Sequence, residues 1–138
     1  MYDSSRFYQA CAIPYRNDGE QIEFCLITSK KTQKWSLPKG TIRSEDTVSE
    51  TIQRQTLKEA GLHGKIMDKP IGSYEYLKWE ETLAVVALLV HVHQCDEEWA
   101  DMDERKRCWV SKDEAIKLLA KDDHKKLIQD AWDRIQAT

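Results

Sequence analysis

The chain has 138 residues, with 21 Lys+Arg against 24 Asp+Glu and a formal net charge of −3. That length fits one domain, expected over residues 1–138, which can bury roughly two-thirds of its unfolded surface with no metal or disulfide staple. The mildly acidic balance argues against a general nucleic-acid binder, which would usually be basic, though it leaves room for a local basic patch, and the longest apolar stretch, the eight residues Leu83 to Val90, is too short to cross a membrane as a helix.

Phe7 to Ile13 is apolar and aromatic and reads as a strand closed by Pro14. Asn17-Asp18-Gly19 is a turn signal, and Gln21 to Thr28, with Ile22, Phe24 and Leu26 alternating, reads as the hairpin partner. Lys30 to Lys34 is a polar loop, and Trp35 to Gly40 is a short strand ending at a Pro/Gly-punctuated loop. Thr47 with Glu50 is a capping-box pattern for a helix to Ala60, with Val48, Ile52 and Thr56 as its buried stripe and Gly61 as its stop.

Ile66 to Tyr76 predicts one or two short strands broken by Pro70 and Gly72. Thr82 to Val92 reads as a central strand buried on both faces. An acidic loop runs from Asp96 to Glu104, and Arg107 to Val110 is a last short strand. Ser111 to Glu114 is a second capping box opening a helix through Leu119, and Asp122 caps a final helix whose Leu127, Ile128, Ala131 and Ile135 share a face. Strands, a helix, strands and then helices predict an α/β fold, a mixed sheet with helices on its faces.

Cys11, Cys25, Cys95 and Cys108 show no CxxC spacing, and Met1 to Arg6 has no apolar signal-peptide core. Free thiols in a reducing, cytoplasmic setting are the expectation. His91 and His93 share one face of a strand but have no third ligand nearby, so no metal site is read there. Trp79, in the polar turn Lys78 to Glu81, is the tryptophan best placed to be exposed near a ligand.

Residues 28–43 hold Lys30, Lys31, Lys34, Lys39 and Arg43 and no acid, and they lead into a helix N-terminus, a natural seat for anions. Gly40 is followed by Asp46, then Arg54, then Glu59 and Gly61-Leu62. This spacing resembles the Nudix box, here residues 40–62: glycine, five residues, an acid, seven residues, then Arg-Glu-apolar-x-Glu-Glu-x-Gly-apolar. Gln9 to Arg16, Trp35 to Gly40 and Arg105 to Val110 are similar to the branch that hydrolyses diadenosine polyphosphates and diphosphoinositol polyphosphates.

The resemblance implies an α/β/α sandwich that cleaves a diphosphate linkage by water attack, with Mg²⁺ (or Mn²⁺) held by oxygen ligands. It further implies that Arg54 pairs with Asp46 and that Glu59, Gln55 and a backbone carbonyl at Lys39 or Gly40 would hold the metal. Lys39, Arg43 and Lys58 would hold phosphates. Two family glutamates are replaced, by Gln55 and Lys58. Glutamine offers a neutral oxygen that cannot act as a base, and an ammonium repels a cation. The acidic loop 96–104 is either a solvated loop or the place of a displaced carboxylate. Three readings follow: a diphosphate hydrolase of weak or altered activity, a non-catalytic module binding a phosphorylated small molecule, and a scaffold with a vestigial pocket.

Overall fold

The computed structural model describes residues 4–137. A mixed sheet lies between one helix and a pair of helices. Strand β1 (Gln9–Asp18) turns through Gly19, at φ 67°, into β2 (Gln21–Thr28). β3 (Trp35–Ser36) and β4 (Lys39–Thr41) are the two halves of the single strand expected there, separated at Leu37-Pro38. Helix α1 (Val48–Ala60) leads into β5 (Leu62–Ile66), β6 (Gly72–Lys78) and the long β7 (Glu81–Cys95). β8 (Arg107–Val110), α2 (Lys112–Leu118) and α3 (Asp122–Gln136) close the chain.

β1 and β7 pair in parallel at the sheet centre, and every other strand pairing is antiparallel. Alternation along the strands sorts the core into two layers. Cys11, Ile13, Phe24, Leu26, Val85, Ala87 and Leu89 face α2 and α3. Ala10, Ala12, Cys25, Ile27, Val86, Leu88 and Val90 face α1 through Val48 and Ile52. The fold is therefore the α/β sandwich with a mixed sheet that the sequence predicts.

Pro14 does not end its strand. It lies where the edge partner of β1 changes from β4, whose ladder stops at Cys11↔Lys39, to β2, whose ladder starts at Tyr15↔Phe24. A missing N–H costs little at such a junction. Asp122 is the first residue of α3 rather than its cap, which is Lys121 with no side-chain cap bond. The capping box of α1 forms as expected, with Thr47 and Glu50 bonded reciprocally, and Gly61 ends the helix at φ 65°.

Candidate functional site

Residues 39–62 form a strand, a loop and a helix folded back on one another. β4 pairs with β1 and its outer side meets α1. Arg54 on α1 reaches the loop, pairing through Nη1 with Asp46 and donating to the Thr41 carbonyl at 3.2 Å. The next residue, Gln55, donates from Nε2 to the Lys39 carbonyl at 3.0 Å and to Glu59 Oε2 at 2.5 Å. This contact explains Gly40: a Cβ there would stand 2.5 Å from Gln55 Cδ. Gly40, Arg54, Gln55 and Glu59, spread along the sequence motif, therefore act as one clasp.

Glu59 is only 3% exposed. Its Oε1 lies 3.5 Å from Arg105, whose Nε donates to Asp101 Oδ2 at 2.9 Å and whose Nη1 donates to the Thr28 carbonyl at 3.1 Å. The loop that carries Asp101 is stitched to the end of α1. Asp101 N–H donates to Lys58 O, Asp96 N–H donates to Gly61 O, and Arg107 donates to the Ala60 and Asp96 carbonyls. Burial pushes the Glu59 carboxyl up to about 7, against the opposing pull of Arg105 and the Gln55 hydrogen bond.

Beside this clasp opens a cleft of about 740 Å³. Lys30, Lys31, Lys34, Lys39, Lys78 and Lys121 line it together with Arg105, and Glu59 is the one carboxylate among its described lining residues. Trp35 and Leu37 form an apolar part of the wall. Lys39 sits 4.9 Å from the Tyr76 ring centroid. Burial, aided by the neighbouring Lys121, pulls its ammonium down to about 8. In a protein of net charge −3, this is a concentrated positive basin suited to a polyanion.

Lys39, one of the three residues expected to hold phosphates, lines this cleft. Arg43 and Lys58 are exposed and are not among the residues that line it. Sequence reasoning missed Lys78 and Lys121, which come from the β6–β7 hairpin and the α2–α3 junction. Nothing local marks them; only the fold brings them to Lys39. Trp79 is 78% exposed at the hairpin tip, with Lys78 Nζ 4.4 Å from its ring centroid. His91 stacks on Tyr15 at 4.7 Å. The acidic loop does bring one carboxylate inward, since Asp101 is 4% exposed, but Arg105 and Lys30 both pair with it.

The NUDIX domain family pattern matches residues 6–131. The chain belongs to that family. It is 32% identical over 126 residues to Nudix hydrolase 21, chloroplastic, of Arabidopsis thaliana, covering 85% of this chain and 62% of the relative. The chain thus spans about three-fifths of the length of that relative. It is 29% identical over 118 residues to the bis(5'-nucleosyl)-tetraphosphatase [asymmetrical] of Sus scrofa, covering 82% and 80% of the two chains. A binary complex of a C. elegans Ap4A hydrolase shares the fold at TM-score 0.82 and 19% identity, over 94% of this chain and 98% of that one.

Nudix proteins generally use divalent cations such as Mg²⁺. The residues here do not fit one. Mg²⁺ needs near-octahedral oxygen ligands. The Lys39 carbonyl and Glu59 Oε2 are both taken by the Gln55 amide, and Glu59 Oε1 faces a guanidinium. Among the described residues no group of three or more His, Cys, Asp or Glu side chains could hold a metal ion. Nor, among the described residues, is any helix long and apolar enough to cross a membrane.

Proposed function

We propose that this Nudix domain binds a small molecule carrying a chain of phosphates, of the nucleoside polyphosphate kind, and does not hydrolyse it by a metal-assisted route. One observation carries the reading: seven cationic side chains line the cleft against one carboxylate, and that carboxylate already accepts from Gln55 on one oxygen and faces the Arg105 guanidinium with the other. The phosphates would lie along the lysines as charge-assisted contacts, each stronger than a neutral hydrogen bond. The similarity to the pig tetraphosphatase and the worm Ap4A hydrolase supports a dinucleoside polyphosphate as the first ligand to try. The four free cysteines support a reducing, cytoplasmic setting.

The rival, a weak diphosphate hydrolase, has one observation in its favour. Burial pushes the Glu59 carboxyl up to about 7, the range that suits a general base. Calorimetric titration with diadenosine tetraphosphate, in EDTA and in Mg²⁺, with chromatography of the mixture afterwards, separates the readings. Binding with the ligand recovered intact is the expected result. Product formation would install the hydrolase instead, and absence of binding in both buffers would leave a scaffold. A Gln55→Glu/Lys58→Glu variant run alongside is expected to gain any turnover that the native protein lacks.

A further inference from the structure

Two oxygens that a hard cation would take converge on a single nitrogen. Gln55 Nε2 lies 3.0 Å from the Lys39 carbonyl and 2.5 Å from Glu59 Oε2. Both neighbours are acceptors, so the amide must present its NH₂ to them and not its oxygen. A cation entering there would have to expel a donor that satisfies two acceptors at once.

The other carboxylate oxygen meets a fixed positive charge. Arg105 Nη2 stands 3.5 Å from Glu59 Oε1. The guanidinium cannot easily swing aside, because Asp101 and the Thr28 carbonyl hold its remaining nitrogens. Its side chain is 16% exposed, and those of Glu59 and Asp101 are 4% and 5% exposed. Asp101 is held in turn by its backbone bond to Lys58 at the end of α1. A second cation beside this guanidinium would be repelled in a site with little water to screen it.

We infer that the Gln55 amide and the Arg105 guanidinium together replace a divalent cation: they hold Glu59 and the Lys39 carbonyl in place and make phosphate binding in the adjoining cleft independent of metal. The inference rests on the binding reading above and adds a positioning role for two residues that need not touch the ligand. Gln55 supplies the geometry and Arg105 supplies the charge. Replacing Gln55 with glutamate turns a donor between two oxygens into a third oxygen, an acceptor-only set that calls for a cation. Removing Arg105 as well takes away the charge that opposes one.

The test uses Mn²⁺ and the full chain without ligand, reading bound ion from the loss of the free-ion paramagnetic resonance signal. The native protein is expected to leave the signal unchanged. Gln55→Glu is expected to bind Mn²⁺, and Gln55→Glu/Arg105→Gln to bind it at least about tenfold more tightly. Mn²⁺ binding by the native protein, or no gain along the series, would overturn the inference. Gln55→Glu is isosteric, so it decides the question alone if the double variant does not fold by circular dichroism. A parallel titration of the native protein with diadenosine tetraphosphate in EDTA is expected to show binding; binding that appears only with Mn²⁺ would also overturn it. Failure to bind that ligand in any buffer would count against the binding reading, while the ligand-free resonance series still judges the roles of Gln55 and Arg105.

Discussion

Lys39 combines three constraints in one side chain. Its carbonyl accepts from Gln55, its stem lies in the wall of the cleft, and its ammonium sits over Tyr76 close to Lys121. Loss of its proton near pH 8 removes a charge that a phosphate needs, while Glu59 gains a negative charge above about 7. Both changes run the same way, so affinity for an anion falls as pH rises. The internal phosphates of diadenosine tetraphosphate keep their charge across this range and make it a clean probe. Calorimetry between about pH 7 and about pH 9 is expected to show weakening, and Lys39→Met to lose about tenfold at neutral pH with a flatter profile. An unchanged slope in that variant would remove Lys39 from the ligand's contacts. Gly40→Ala is expected to destabilise by about 1–3 kcal/mol through overpacking against Gln55. Urea unfolding checks this, and Gly40→Ala/Gln55→Ala should recover part of the loss if the clash is the cause.

At the scale of elements, α1 is the piece that carries both the clasp and the ends that hold it. Its N-terminus is fixed by the Thr47–Glu50 box and its C-terminus by Gly61, where a Cβ would meet Trp99 Cβ at 2.8 Å. Thr47→Ala should cost about 1 kcal/mol of unfolding free energy. Gly61→Ala should cost more, about 1–3 kcal/mol, because it adds a contact with Trp99 to a left-handed backbone. Equal losses in thermal or urea unfolding would mean that Trp99 yields freely. The boundaries of α1 are legible in the sequence because caps are local chemistry: a hydroxyl, a carboxylate three residues on and a glycine. The place of Pro14 is not, since its tolerance depends on which strand lies beside it. Asp122 reads as a cap in one dimension because a capping side chain and a first-turn acid look alike there. Gln55 is visible as a lost carboxylate, but that its amide bridges Lys39 and Glu59 depends on how β4 packs against α1. Arg105 is visible only as part of a flank; its meeting with Glu59 depends on the loop folded over the end of the helix.

At the scale of the whole molecule, the cleft exists because both layers of the sandwich contribute to it. Glu59 comes from α1 on one face, and Lys121 from the turn between α2 and α3 on the other. Just after Lys121, His124 is fully buried against Tyr74, at 3.0 Å between Nε2 and the hydroxyl, with Nδ1 buried and unpartnered. Burial first, then Lys121 and Lys39, pulls its pKa down to about 3. The unfolded chain takes up this proton at about 6.5 and the folded chain only near 3, so stability drops as pH falls through that window, by up to about 1.4 kcal/mol per pH unit. Urea unfolding of His124→Phe should show a shallower acid slope than the native protein; an identical slope would contradict a buried neutral imidazole. The central claim, a phosphate ligand held without being cut, is tested most directly by ³¹P NMR of diadenosine tetraphosphate mixed with the protein in Mg²⁺. Shifted or broadened phosphate resonances with constant integrals are the predicted result, and growth of new product resonances, or no perturbation at all, would contradict it.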